Sequence, residues 1–443
     1  VRVDPRVELM SIVFRLAGNP EYCRGRVADY TRDVDEHFGK FRDHPVVRIA
    51  RDLRRSKGVS YDAVMSMAVH MKYTTTLAEA VPFEPRPDTL ERRWPVRSAR
   101  RFLREARDFV KVTEFQAFFA AHHDLYATAA KRMQAVLDKD MKLEWFDTFF
   151  GTRPAARFQL ALGMLNGPCC YAARLRHPDG KEDIHCILGV WETDRDGLPC
   201  FDRTMLGTVA HEFAHSYCNP LVDKHAEALE APARTLWPFV ADAMKSQAYG
   251  NWKTMMYESL VRASVVRYQA YARGDKVARK QARIEDRRSF HWVGELAERL
   301  AHYETIREQY RTLDDFMPEV AAFYAQYAKK FAERMARTPK VVTIVPENGA
   351  RDVDPATDRI VVTFDRPMRD RCWAVVKTGA PFPEIRGKLS FDPERKVLTI
   401  PVRLAPNTRY ELWLNRGKFT AFQSEDGVQL RPVRVRFRTA KEK

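Results

Sequence analysis

Along VELMSIVFRLA, VADYTRDVDEHFGKF and SYDAVMSMAVHM, apolar residues recur every three or four positions, and Asn, Gly and Pro break the runs. That spacing predicts an almost wholly helical region over 1–150. VPFEPRPDT is a loop within it, and the longest helical pattern runs through HHDLYATAAKRMQAVLDKDM. Near residue 155 the period changes. FQLALGML and CCYAARLRH, then DIHCILGVWE after the turn HPDGKED, read as strands joined by a hairpin. The loop TDRDGLPCFD leads into RTMLGTVAHEFAHSYC, which is helical in spacing, and Asn219-Pro220 is expected to stop that helix. Helices return from about 225 to 337, including MMYESLVRASVVRYQAYA and FMPEVAAFYAQYAKKFAERMA.

Pro339 marks a second change. Short alternating runs rich in Val, Ile, Thr and Phe follow, with the turns ENGARD, DPERK, APNTR and SEDG between them. This is the pattern of a small β-sandwich able to bury a core of its own. The whole therefore reads as α+β in three parts. Residues 1–150 are helical, 151–337 hold a mostly helical core with a small β-sheet, and 338–443 form an all-β sandwich.

The candidate chemistry lies in TVAHEFAHSYCNP. Residues four apart project from one helix face, so His211 and His215 can each give an imidazole nitrogen to one tetrahedral zinc. Glu212 points about 100° round the helix, beside the metal, where it can act as general base without ligating. Thr208, Val209, Phe213, Ala214, Ser216 and Tyr217 are uncharged, as a buried helix behind a metal requires. The competing reading is of two helix-face histidines hydrogen-bonded in a core.

A catalytic zinc needs a third protein ligand and an open fourth position. A third His six residues on is absent, since that position is Leu221. His225 and Glu227 lie beyond the expected helix break. Glu258, on a separate helix, can complete a His, His, Glu site, with Arg262 one turn later holding its carboxylate. An exposed Glu258–Arg262 salt bridge is the alternative. Asn219 either orients His215 or caps the helix. Tyr249 is a candidate donor to the tetrahedral oxyanion, in competition with Tyr257 and His225. The strands offer an edge on which an extended peptide substrate can pair.

Charge and cysteines change the picture little. The net charge is +16 over 443 residues. The densest basic run, LERRWPVRSARRFLREARDFVK, has helical apolar spacing and interleaved acids, so it reads as a solvated helix face. No nucleic-acid motif accompanies it, which leaves a general attraction to anionic surfaces rather than specific nucleic-acid binding. No apolar run is long enough to form a transmembrane segment. Seven cysteines without a CxxC pair make no disulfide framework, with room for one or two bridges between Cys169 and Cys218.

With these residues in hand, the chain resembles the gluzincin branch of zinc metallopeptidases, with HExxH and a distant Glu. More closely it is similar to an uncharacterised bacterial family, through ELMSIVFRLAG, FGKFRDHPVV, HEFAHSYCNP and AYGNWKTMMYESLVRA. The resemblance covers roughly residues 1 to 337 and implies a zincin-like catalytic core over 151–337 behind a helical N-terminal part, with His211, His215 and Glu258 as ligands of Zn2+ and Glu212 as base. TIVPENGARDVDPATDRIVVTFDRPM looks like a bacterial Ig-like domain of secreted and cell-surface proteins, which implies a secreted, periplasmic or cell-surface location. The expectation is a secreted zinc peptidase. A non-catalytic zinc-binding protein of the same fold, used for surface recognition, is the alternative.

Overall fold

The computed structural model describes residues 1–72, 77–417 and 419–441. The chain divides into two compact units, Val1–Tyr327 and Ala328–Lys443.

The first unit opens with helices α1 (Pro5–Leu16), α2 (Ala28–Phe38), α3 (Pro45–Lys57) and α4 (Asp62–His70). Then come α5 (Val96–Val112), α6 (Phe115–Ala121), α7 (His123–Asp140) and α8 (Glu144–Phe150). Their ends follow local chemistry. Asp4 accepts the Arg6 N–H ahead of Pro5 at the start of α1. His44 does the same for Val46 ahead of Pro45, and Gly58 closes α3 at φ +69°, a conformation that suits glycine.

Four strands form the sheet that carries the site: β1 (Arg2–Val3), β2 (Ala156–Gly163), β3 (Cys170–Arg176) and β4 (Glu182–Gly189), in the order β1-β2-β4-β3. β3 and β4 make the expected antiparallel hairpin. β2 departs from the expectation, because it lies parallel to β4, with Leu160 opposite Cys186. Parallel neighbours cannot be joined by a tight turn, so β3 takes up the intervening chain and becomes the edge. β4 is buried at all eight positions, as a central strand covered on both faces must be. β5 (Glu192–Thr193) and β6 (Pro199–Cys200) make a two-stranded ribbon inside the TDRDGLPCFD loop.

Helices α9 (Leu206–Lys224), α10 (Ala226–Ser246), α11 (Trp252–Arg273), α12 (Asp275–Arg287), α13 (Val293–Thr305) and α14 (Leu313–Arg337) follow. α9 packs on β3, β4 and α11, and α11 is backed by α12 and α13. The expected stop at Asn219-Pro220 does not occur, since α9 runs through Pro220 to Lys224. Proline removes the N–H that would have bonded to the Ser216 carbonyl. The guanidinium of Arg153 donates to that oxygen instead, at 2.9 Å. A partner far away in sequence thus relieves part of the local cost.

The second unit is all-β beyond the end of α14. One sheet holds β7 (Val341–Val345), β8 (Arg359–Phe364), β10 (Glu384–Ile385), β11 (Ser390–Phe391) and β12 (Val397–Arg403). The other holds β9 (Val375–Val376), β13 (Arg409–Leu414) and β14 (Val433–Arg438). Alternate residues, among them Ile360, Val362, Leu398, Ile400, Leu412 and Val435, fill one apolar core. Asn415 is buried within it, and its amide bonds to the carbonyls of Phe422 and Leu430 and to the Phe422 N–H.

Candidate metal centre

α9 presents His211 and His215 on one face, and α11 crosses beside it carrying Glu258. The two histidine Nε2 atoms are 3.2 Å apart. Glu258 Oε2 lies 3.6 Å from Nε2 of His211, and Oε1 lies 3.4 Å from Nε2 of His215. One ligand atom from each residue therefore falls within 4.8 Å of the others. Ligands about 2.0–2.2 Å from a tetrahedral zinc stand roughly 3.3–3.5 Å from each other, so this spacing fits such an ion.

The chemistry of the donors fits as well. His215 Nδ1 is 3.1 Å from Asn219 Oδ1, and donation to that oxygen leaves the Nε2 lone pair facing the centre. This contact exists because α9 continues past Pro220, which keeps Asn219 one turn beyond His215. Burial holds His211 down to about 3, so its imidazole stays neutral and able to ligate. Burial alone would raise the Glu258 carboxyl, but the two imidazoles and Arg262 outweigh it and hold the group low, at about 2.

Glu258 is not the exposed half of a surface ion pair. It is 6% exposed, and Arg262, at 7%, donates to its Oε2 at 2.9 Å. The same guanidinium reaches Glu285 on α12 at 2.5 Å and packs over the Phe290 ring. Arg262 also donates to the Tyr249 hydroxyl at 2.9 Å, and that hydroxyl bonds to Glu258. Tyr249 thus stands behind the carboxylate. The other residues considered as ligands or donors lie outside this cluster. His225 meets Asp314 at 2.8 Å, Tyr257 bonds to Asp223 at 2.5 Å, and Glu227 is exposed.

Glu212 is 8% exposed and makes no ion pair among the described residues. Burial lifts it to about 7, against the pull of His215 and a hydrogen bond from the Ala172 backbone on β3. Cys170 and Cys186 lie near enough to sense its charge, and burial is the main cause that pushes Cys170 up to about 12. All seven cysteines are free, so the bridges allowed for between Cys169 and Cys218 do not form.

Sequence reasoning missed Glu285, because nothing in DKVARKQARIEDR distinguishes it from the exposed charges around it. It missed the part played by Ala172 for a related reason, since a backbone N–H has no sequence signature.

Residues 90–323 match the family described as Domain of unknown function (DUF4932), more than half of the chain. The chain belongs to this family. The matched span contains His211, Glu212, His215, Glu258, Arg262 and Glu285. A bacterial Ig-like domain follows at residues 336–439, in agreement with the all-β second unit. No curated protein matches the chain. Two solved structures with some likeness are the S-layer protein rSbsC, residues 31–844, and domains 1–6 of the surface layer protein SbsC. They are 18% and 14% identical, and each match covers 53% of this chain and 34% of theirs at a TM-score of 0.19. This chain thus spans about a third of their length, and the low score carries no argument. No helix among the described residues is long and apolar enough to cross a membrane.

Proposed function

We propose that this member of the family is an exported zinc-dependent peptidase, with His211, His215 and Glu258 as the protein ligands. The observation that carries the reading is Glu212, a carboxyl buried beside the ligand set without a cationic partner. Bound zinc would supply a Lewis acid that lowers the pKa of a water and polarises the scissile carbonyl. Glu212, buried beside the ligand set, would take the proton from that water on a carboxylate oxygen and hand it to the departing amine nitrogen. Asn219 keeps the His215 lone pair aimed at the centre. Arg262 and Tyr249 hold the Glu258 carboxylate, which supports a positioning role for Tyr249 in place of oxyanion stabilisation. β3, at the sheet edge beside Glu212, suits pairing with an extended peptide.

The Ig-like second unit is compatible with a secreted, periplasmic or cell-surface location, and export belongs to the same proposal. The alternative, a zinc-binding recognition protein without catalysis, gives the burial of Glu212 no purpose. New peptide termini in a proteome-derived library incubated with the zinc-loaded protein are the test. A library that stays uncut would favour the alternative.

A further inference from the structure

Eleven of the sixteen net positive charges sit in two stretches that are distant in sequence and adjacent in the fold. Residues 40–57 carry seven Lys and Arg against two acidic residues, and residues 92–111 carry eight against two. Twelve of those fifteen basic residues are arginines. α3 and α5, which make up most of both stretches, pack against each other.

Two contacts fix their direction. His44, at the start of α3, meets Asp108, near the end of α5, at 3.1 Å. Arg93, just before α5, donates to the carbonyl of Gly58, just past α3, at 3.4 Å. The helices therefore run antiparallel. Counting from the His44–Asp108 contact sets Arg48 level with Arg104, Arg51 with Arg101 and Arg55 with Arg97. All six are exposed, while Val46, Val47, Ala50 and Leu53 on α3 and Phe102 and Ala106 on α5 are buried. Successive levels are about one helical turn apart, roughly 5 Å. The result is a double row of guanidinium groups along one outer face.

Acids from other segments neutralise the flanks, with Glu21 on Arg54, Asp62 and Glu91 on Arg93, and Glu79 and Glu84 on Arg100, while few reach the double row itself. Asp52 pairs with Arg55 at 2.9 Å, and Glu105 with Arg104 at 3.1 Å. Arg48, Arg51, Arg97 and Arg101 make no ion pair among the described residues. Reading α5 alone as a solvated face is sound for one amphipathic helix. The fold adds a second basic row beside it, and like charges held that close repel each other unless an anion lies between them.

We propose that this double row is a track for a linear phosphate polymer, independent of the hydrolytic reading of the metal centre. Guanidinium forks bind oxyanions such as phosphate through paired hydrogen bonds, and a linear phosphate polymer carries one such anion on every unit along the row. A membrane partner is disfavoured because Val112, at the end of α5, is the single exposed large hydrophobic on either helix among the described residues. A nucleic acid read through its bases is disfavoured because neither helix exposes an aromatic ring for stacking.

The test titrates the full chain with labelled inorganic polyphosphate at about 50 and 200 mM salt. Four phosphate contacts should weaken binding roughly fifty-fold between those conditions. The variant R48Q/R51Q/R97Q/R101Q should lose at least about tenfold at low salt and most of the salt dependence. Lysine at the same four positions keeps the charge without the fork and should fall between the two. Glutamine at Arg351, Arg403, Arg409 and Arg436, exposed on the second unit, should leave binding unchanged. Four results would overturn the proposal: no binding by the wild type, equal binding by the α3/α5 variant, equal loss in the control, or tighter binding to anionic vesicles or duplex DNA.

Discussion

The Arg153 guanidinium donates to the Ser216 carbonyl at 2.9 Å, at the position where Pro220 leaves α9 without its own donor. This contact keeps the helix continuous, and the continuity brings Asn219 under His215. Arg153→Met should therefore destabilise the protein by about 1–3 kcal/mol, the usual cost of leaving a buried acceptor without its donor. Arg153 also pairs with Glu182, so the single variant alone does not isolate the carbonyl. Pro220→Ala restores the helical N–H and should make Arg153→Met clearly less costly. Urea unfolding of the four proteins in this cycle measures the coupling, and purely additive losses would refute it.

Removing a ligand should separate metal binding from folding. Glu258→Ala is expected to weaken zinc binding by several orders of magnitude, and His211→Ala by a similar amount, because each removes one of three converging donors. Competition with a chromogenic chelator gives the affinities. Undiminished zinc affinity in Glu258→Ala would take that residue out of the site.

Far from the metal centre, Glu8 sets a pH dependence of stability. It is fully buried between the Tyr30 hydroxyl and the Met164 N–H, and burial pushes its carboxyl up to about 7 from an ordinary 4.5. Between those values the folded state holds a proton that the unfolded state has released. The resulting stability is complete below about 4.5 and is lost as pH rises through about 7, a change of about 3 kcal/mol. Glu8→Gln, which stays neutral, should gain roughly that much relative to wild type between pH 4.5 and 8. Denaturation at the two pH values measures it, and a constant difference between the proteins would contradict the assignment.

The second unit should fold without the first. Residues 328–443 expressed alone are expected to unfold cooperatively, because that segment holds its own core. Asn415→Ala in this fragment removes three hydrogen bonds of 2.8–2.9 Å and strands their partners, so a loss of about 3 kcal/mol or more is expected. Circular dichroism melts of the two fragments check both statements.

Much of this molecule was legible where the deciding forces are local. The His211–Glu212–His215 spacing follows from helix geometry, and the period change after Pro339 marks a real all-β region. The sequence also singled out Glu258, and the fold brings it to the two histidines. Misreadings arose where distant partners override a local rule. Pro220 reads as a helix stop until Arg153 is placed beside it. Arg2–Val3 is too short to show strand periodicity, yet it pairs with β2 once the fold brings them together. The direction in which β2 pairs with β4 is set by the chain's path rather than by either strand's own residues, so the pattern could not reveal it. Glu285 looks like any surface acid until α12 packs against α11.

The most direct test of the central claim compares peptide turnover by wild type and Glu212→Gln at matched zinc content. The substitution keeps the shape of the side chain and removes its ability to accept the proton. Full zinc binding with a loss of turnover of at least about a hundredfold is the predicted result. Turnover in Glu212→Gln equal to wild type, with zinc bound in both, would contradict the account.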